Sequence, residues 1–334
     1  MFHPTHPVTN EHCILADAGW REFNERLWNI KSEEFSYAPR GENGPRLDVV
    51  AYKDKSGRYV LPSMHPHWHM RFQHTDAEYT AKLYRQWDEV SKLLVGDMVG
   101  TGTHGRIAFP AEITDIRNWL WTGFRPLALY TIMVNFPYSI DQAESTARRR
   151  YKKSVKEGFR VQFAKDPADV IPCLLGTETR KNFDHSLTAE SLKMGLELMG
   201  PEKFRLYVAY ASNGEPASAR LVVMDEGGVA YDIAAGTQIK YLNSGCTQHM
   251  IGHVLMDVQQ AGATGFNFSC ANVESVSPPK LCWGGHLVAM HGIEGFDFIP
   301  VRRTVGSFVR LWRNRSRQRS GVPQPGNSET ITNS

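Results

Sequence analysis

The chain is poor in cysteine, has no long apolar run, and in two stretches carries no acid at all. No apolar run reaches the roughly 18 residues that a membrane-spanning helix needs, so no such span is expected. The opening MFHPTHPVTNEHC lacks both a basic n-region and an apolar h-region, and no signal peptide is expected. The five cysteines (Cys13, Cys173, Cys246, Cys270 and Cys282) are scattered and form no CxxC pair. Reduced thiols in a cytoplasmic protein are the simplest expectation. No HExxH occurs, no heptad run, and no internal repeat. With 41% hydrophobic and 22% charged residues, a chain of 334 residues is long enough to bury a real core as one large domain or two ordinary ones.

The acid-free stretches organise the charge. Seven arginines and no acid lie between Arg302 and Arg319, and six basic residues and no acid between Arg148 and Lys156. Setting these thirteen aside turns a formal charge of +3 into 25 Lys+Arg against 35 Asp+Glu, an acidic body of about −10 bearing two basic patches.

Periodicity predicts a mixed α/β chain. Helices are expected at 18–30, 77–94, 141–157, within 166–199 and at 247–260. Strands are expected at 47–53, 59–64, 127–136 and 159–163, then as a three-strand meander at 204–211, 217–224 and 228–234, and again at 264–269. Gly100 to Gly105 reads as a loop. In the helix at 141–157, Ala147, Tyr151 and Val155 are expected to face inward. Residues 320–334 read as a disordered tail.

Certain residues then suggest a family. Arg148 to Phe159, ArgArgArgTyrLysLysSerValLysGluGlyPhe, resembles the R-x-x-x-K-x-x-x-K-x-G helix of Fem-type (FemABX-like) aminoacyltransferases of the GNAT superfamily. The meander from Phe204 to Thr237, the helix and strand from Ser244 to Ser269, and Pro279-Lys280-Leu281-Cys282-Trp283-Gly284-Gly285-His286-Leu287 are similar to that family's motifs in the same order. The resemblance covers roughly residues 125–298. Asn267-Phe268-Ser269 departs from it, because the family's usual acid is missing at Asn267; Leu281 departs from it as well.

The resemblance implies two GNAT-like subdomains of α/β (α+β) class, mixed sheets flanked by helices: residues 1–130 and 131–300, followed by a basic amphipathic segment at 301–319. It implies acyl transfer to an amine without a cofactor. The donor would be aminoacyl-tRNA. The acceptor would be a peptide-like or small amine, a carrier-protein-bound peptide among them, in peptidyl natural-product assembly or peptidoglycan bridge synthesis. Lys280 takes the place of the family's signature lysine. It would stabilise the oxyanion, a type of contact worth about 3 to 4 kcal/mol, or grip donor phosphate; otherwise it is a surface lysine before a Gly-Gly turn.

Asp232, Glu274 and His253 are candidate bases, Asp232 first because a meander strand can turn it to the groove. The alternative for Asp232 is a solvated edge-strand acid and for Glu274 a solvated loop acid, and a ribose group of the substrate could carry the proton instead. Arg148, Arg149, Lys152, Lys153, Arg302, Arg303, Arg310 and Arg313 would grip tRNA phosphates. Val305, Phe308, Val309 and Trp312 fall at helical spacing, so an anionic membrane surface and a solvated tail that binds nothing also stay open for the Arg-rich end.

Other classes compete. Residues 240–247 lack the Q/R-x-x-G-x-G/A loop of CoA-binding relatives, which weighs against an acyl-CoA donor. His65, His67 and His69 would share one face of an extended strand, with His74 nearby. His249, His253 and Asp257 would share one face of a helix. Either set could serve a metal hydrolase, although Pro66 disturbs strand pairing. Cys246 and Cys282 rank lower as nucleophiles. A binding protein on an inactive GNAT-like scaffold is the remaining class.

Overall fold

Strands covered on both faces read as continuous apolar runs, and the meander has that character. The computed structural model describes residues 13–76, 78–269 and 271–295. Arg302, Arg303, Arg310, Arg313, the 301–319 segment and the 320–334 tail lie outside the described residues.

The chain begins with α1 (Ala18–Trp28), β1 (Lys31–Tyr37), β2 (Arg46–Lys53), β3 (Tyr59–Val60), β4 (His69–Gln73) and α2 (Thr80–Thr101). The Asp17 carboxylate caps α1 by accepting the Gly19 and Trp20 N–H groups. Trp20 and Phe23 on its inner face are fully buried. β1, β3 and β4 all pair antiparallel with β2 in a small sheet. β1 was not anticipated: its Lys-Ser-Glu-Glu-Phe-Ser-Tyr sequence is that of a charged edge strand, without an apolar run to announce it. α2 runs through Gly96 and Gly100, so helix replaces the start of the expected glycine loop.

Next come β5 (Arg106–Ala108), α3 (Arg117–Trp121), β6 (Arg125–Asn135), α4 (Ser145–Lys156), β7 (Arg160–Phe163), α5 (Ile171–Lys181) and α6 (Ala189–Lys203). The last are β8 (Phe204–Tyr210), β9 (Pro216–Val223), β10 (Val229–Thr237), α7 (Cys246–Gln260), β11 (Gly265–Asn267), α8 (Ser277–Leu281) and β12 (His286–Glu294). The eight strands from β5 onward form one sheet in the order β5-β12-β6-β11-β10-β9-β8-β7. Residue 130 falls inside β6, which pairs with both β12 and β11.

One face of this sheet packs under α4 and α7 around Met250, Val254, Leu255 and Trp283. The other packs under α1, α5 and α6 around Phe23, Leu174, Leu192 and Phe204. α5 lies so close on β10 that a Cβ added at Gly236 would come within 2.3 Å of the Cys173 carbonyl oxygen. A third core, including Trp68, Trp87, Phe109 and Trp119, joins the small sheet to α2 and α3.

All neighbours in the large sheet are antiparallel except β10 and β11. That parallel pairing runs only from Val229↔Gly265 to Tyr231↔Asn267. Beyond it β10 continues to Thr237. The chain after β11 instead follows β6, through Phe268 N–H to the Ile132 carbonyl (2.9 Å) and Ala271 N–H to the Tyr130 carbonyl (3.0 Å). The sheet therefore splits just after Tyr231 and Asn267.

Candidate active site

Asp232 is the first residue of β10 past the end of its pairing with β11. A bulge follows it, between Asp232 and Ala234, and shifts the register against β9. Bulges of this kind re-aim side chains. Asp232 Oδ2 accepts from Arg220 Nη1 of β9 at 2.7 Å, and the two side chains are only 3% and 4% exposed. Lys280 Nζ of α8 lies 3.6 Å from the same Oδ2. It also donates to the carbonyls of Phe268 and Ser269, the second at 3.1 Å. The Phe268 ring lies under both cations, at 5.9 Å from Arg220 and 6.0 Å from Lys280.

The cluster is incompletely satisfied. Among the described residues, Asp232 Oδ1, Arg220 Nε and Ser269 Oγ are buried without a hydrogen-bond partner. Buried polar atoms rarely stay unpaired without a reason. Ser269 also sits at φ +51°, a conformation that a serine adopts at a cost. Asn267 accepts the Ser269 N–H at 2.8 Å and the Thr131 hydroxyl on the same oxygen, Oδ1.

Of the sequence-derived candidates, the fold brings Lys280 and Asp232 together. Asp232 is a buried residue of an inner strand, and Lys280 is half-buried. Glu274 is exposed in the turn before α8, with no hydrogen bond or ion pair to the cluster among the described residues. His253 lies on α7 with its ring edge-on to Tyr207, centroids 6.2 Å apart. Burial lowers its basicity. Arg220 was missed, although a lone arginine in the apolar strand Pro216–Val223 is itself a signal.

The basic helix α4 starts against the residue that follows α8. Glu144 N–H, at its N-cap, donates to the Cys282 carbonyl at 2.8 Å. Arg149, Lys152 and Lys153 are exposed, and Arg148 is half-exposed. Arg148 pairs with Asp141 at 3.0 Å, and Lys153 reaches the Asn243 carbonyl at 3.0 Å. The buried face differs from expectation at one position: Val155 is 49% exposed, while Ser154 is buried against His249, 3.4 Å from its Nδ1. Stepping i, i+4, i+7 through Ala147, Tyr151 and Ser154 follows the 3.6-residue turn better than two steps of four. The far half of α4 packs on the start of α7, where a Cβ at Gly245 (φ +84°) would come within 2.3 Å of the Arg150 carbonyl oxygen.

The histidine groupings take other roles. His65 and His67 lie outside any strand, and β4 begins only at His69. His67 donates from Nδ1 to the Trp68 carbonyl at 2.7 Å, which leaves Nε2 to accept from the Tyr231 hydroxyl at 3.4 Å. Burial pushes His65 down to about 3, with His67 beside it adding to the effect, and burial lowers His67 and His69 to about 4. His249 is lowered to about 4 by burial. Among the described residues no three His, Cys, Asp or Glu side chains are grouped to hold a metal ion. Burial raises the Cys246 and Cys282 thiols, which suits neither to nucleophilic attack at neutral pH. No helix of the described residues is long and apolar enough to cross a membrane.

No protein-family model matches the sequence, and no curated protein matches it. Solved structures do. A crystal structure of FemX is similar at TM-score 0.57 and 11% identity, over 87% of this chain and 94% of that one. The C-terminal domain of a protein described as a lysylphosphatidylglycerol synthetase, from Agrobacterium fabrum, is similar at TM-score 0.51 and 12% identity, over 84% of this chain and 88% of that one. At such identities the likeness concerns the fold, and the fold of this chain is Fem-like.

Proposed function

We propose that this protein is an acyltransferase that moves an amino acid from aminoacyl-tRNA to the amine of a peptide-like acceptor. The observation that carries the reading is the meeting of Lys280 and Asp232 at the split of a Fem-like sheet, with a cationic helix starting alongside. The acceptor amine would attack the ester carbonyl, forming the C–N bond and expelling the ribose oxygen. The amine proton would pass to Asp232, whose Oδ1 has no partner among the described residues, and from there to the departing ribose oxygen, which leaves as a hydroxyl. Lys280 would turn one N–H from a backbone carbonyl to the oxyanion as charge develops there, a contact of the kind that contributes most in acyl transfer. Arg148, Arg149, Lys152 and Lys153 would hold phosphates of the donor, leading away from the split.

Peptidyl natural-product assembly and peptidoglycan bridge synthesis both supply acceptors of this chemistry, and both would draw on the cytoplasmic pool of aminoacyl-tRNA. The test is to mix the protein with radiolabelled aminoacyl-tRNAs and candidate amines and to follow amide formation with and without RNase. RNase-sensitive transfer supports the reading. Transfer from acyl-CoA and none from any aminoacyl-tRNA overturns the donor.

A further inference from the structure

We infer that Arg220 is the positioning residue of this site: it holds Asp232 by Oδ2 so that Oδ1 is kept for the reacting amine. The inference rests on the acyl-transfer reading and adds to it a residue that makes no bond to substrate. Arg220 and Asp232 are buried side chains on adjacent strands, joined by a single contact of 2.7 Å. A guanidinium and a carboxylate can make two parallel bonds, yet here Nε and Oδ1 are both left without a partner among the described residues. A half-made buried pair is a poor stabilising device, because apolar side chains of similar volume serve a core as well or better. The bulge after Asp232 shifts the register just where the sheet splits. Arg220 also packs over Phe268, whose carbonyl receives Lys280. The guanidinium thus touches the two elements that bring acid and ammonium together.

The experiment compares wild type with Arg220→Lys, Arg220→Ala and Asp232→Asn in amide formation, using aminoacyl-tRNA and acyl-CoA as alternative donors, since the amine is common to both. Unfolding curves are recorded for each variant. Arg220→Lys keeps the charge and loses the planar fork. It is expected to fold and to lower kcat at least tenfold, with the donor KM changed less than twofold. Ethylguanidine added to Arg220→Ala is expected to restore a measurable part of kcat and to do nothing for Asp232→Asn. Should Arg220→Ala fail to fold, the split between kcat and KM in Arg220→Lys decides alone. Unchanged kcat in Arg220→Lys overturns the positioning role while the acyltransferase reading stands. Wild-type protein that transfers from neither donor overturns both.

Discussion

Two arginines on neighbouring strands of the large sheet are equally buried and differently treated. Arg205 of β8 is 5% exposed and satisfied on several sides: its Nε donates to the Glu202 carbonyl at 2.9 Å and its Nη1 to Asp257 at 2.7 Å. The Tyr207 hydroxyl donates to the same Asp257 oxygen at 2.6 Å, and the Phe163 ring lies under the guanidinium. Among the described residues, Arg220 of β9, opposite Tyr207 in register, has one charged contact and an unpartnered Nε. A finished network locks a structure, whereas an unfinished one at a break in a sheet leaves atoms for a ligand. The same residue type in the same sheet thus reads as scaffold in one place and as site in the other.

The difference can be broken most sharply at Lys280. Lys280→Ala is expected to lower the transfer rate of the folded fraction, fixed by urea unfolding, by about 10²- to 10³-fold, the range for loss of an oxyanion donor. Full activity would remove Lys280 from the chemistry and leave it tying down the end of β11. The converse holds at the finished network. Asp257→Ala strands Arg205 and should cost about 1 to 3 kcal/mol of stability. Its kcat, measured where the variant is folded, should stay within twofold of wild type. A large fall in kcat would erase the distinction between the two clusters.

Acid provides a third test. His65, His67 and His69 are held neutral by burial, at about 3, 4 and 4, against roughly 6.5 in an unfolded chain. The unfolded state then binds more protons between these values. Stability should be complete above about pH 6.5 and be lost as pH falls from there toward 4. Melting temperature against pH would show this, and His67→Asn should flatten the slope. A curve already flat between pH 7 and 4 would contradict the burial of these rings. The smallest effect concerns the surface. Replacing Arg148, Arg149, Lys152 and Lys153 by Ala should leave folding intact and reduce the slope of log K for tRNA against log salt by about 2 to 4. An unchanged slope would place the tRNA footprint elsewhere.

Much of the second half was legible from local pattern. The meander at 204–234 and the helix expected at 247–260, which the fold begins at Cys246, follow from periodicity and turn residues. The N-terminal sheet was less legible. β1 is charged, and the His65-Pro66-His67 run, with its suggestive alternation, is not a strand at all. At α4 a spacing of four named Val155 where the helix turns Ser154 inward. In the candidate site, Lys280 and Asp232 carried signals of their own, and the sequence ranked Asp232 above Glu274 only by its place on a meander strand. Only the first lies on a strand beside the split.

By itself the sequence determined the local elements and the separation of basic patches from an acidic body, because periodicity, turn chemistry and charge are written in neighbouring residues. It also suggested the family whose fold the chain has. Tertiary structure alone decided that β10 parts from β11 after Tyr231, that Asp232 meets Arg220 of the neighbouring strand, and that Lys280 closes on Asp232. Those outcomes depend on strand order and register between segments distant in the chain. A shift of one residue in that register moves a side chain to the other face of the sheet.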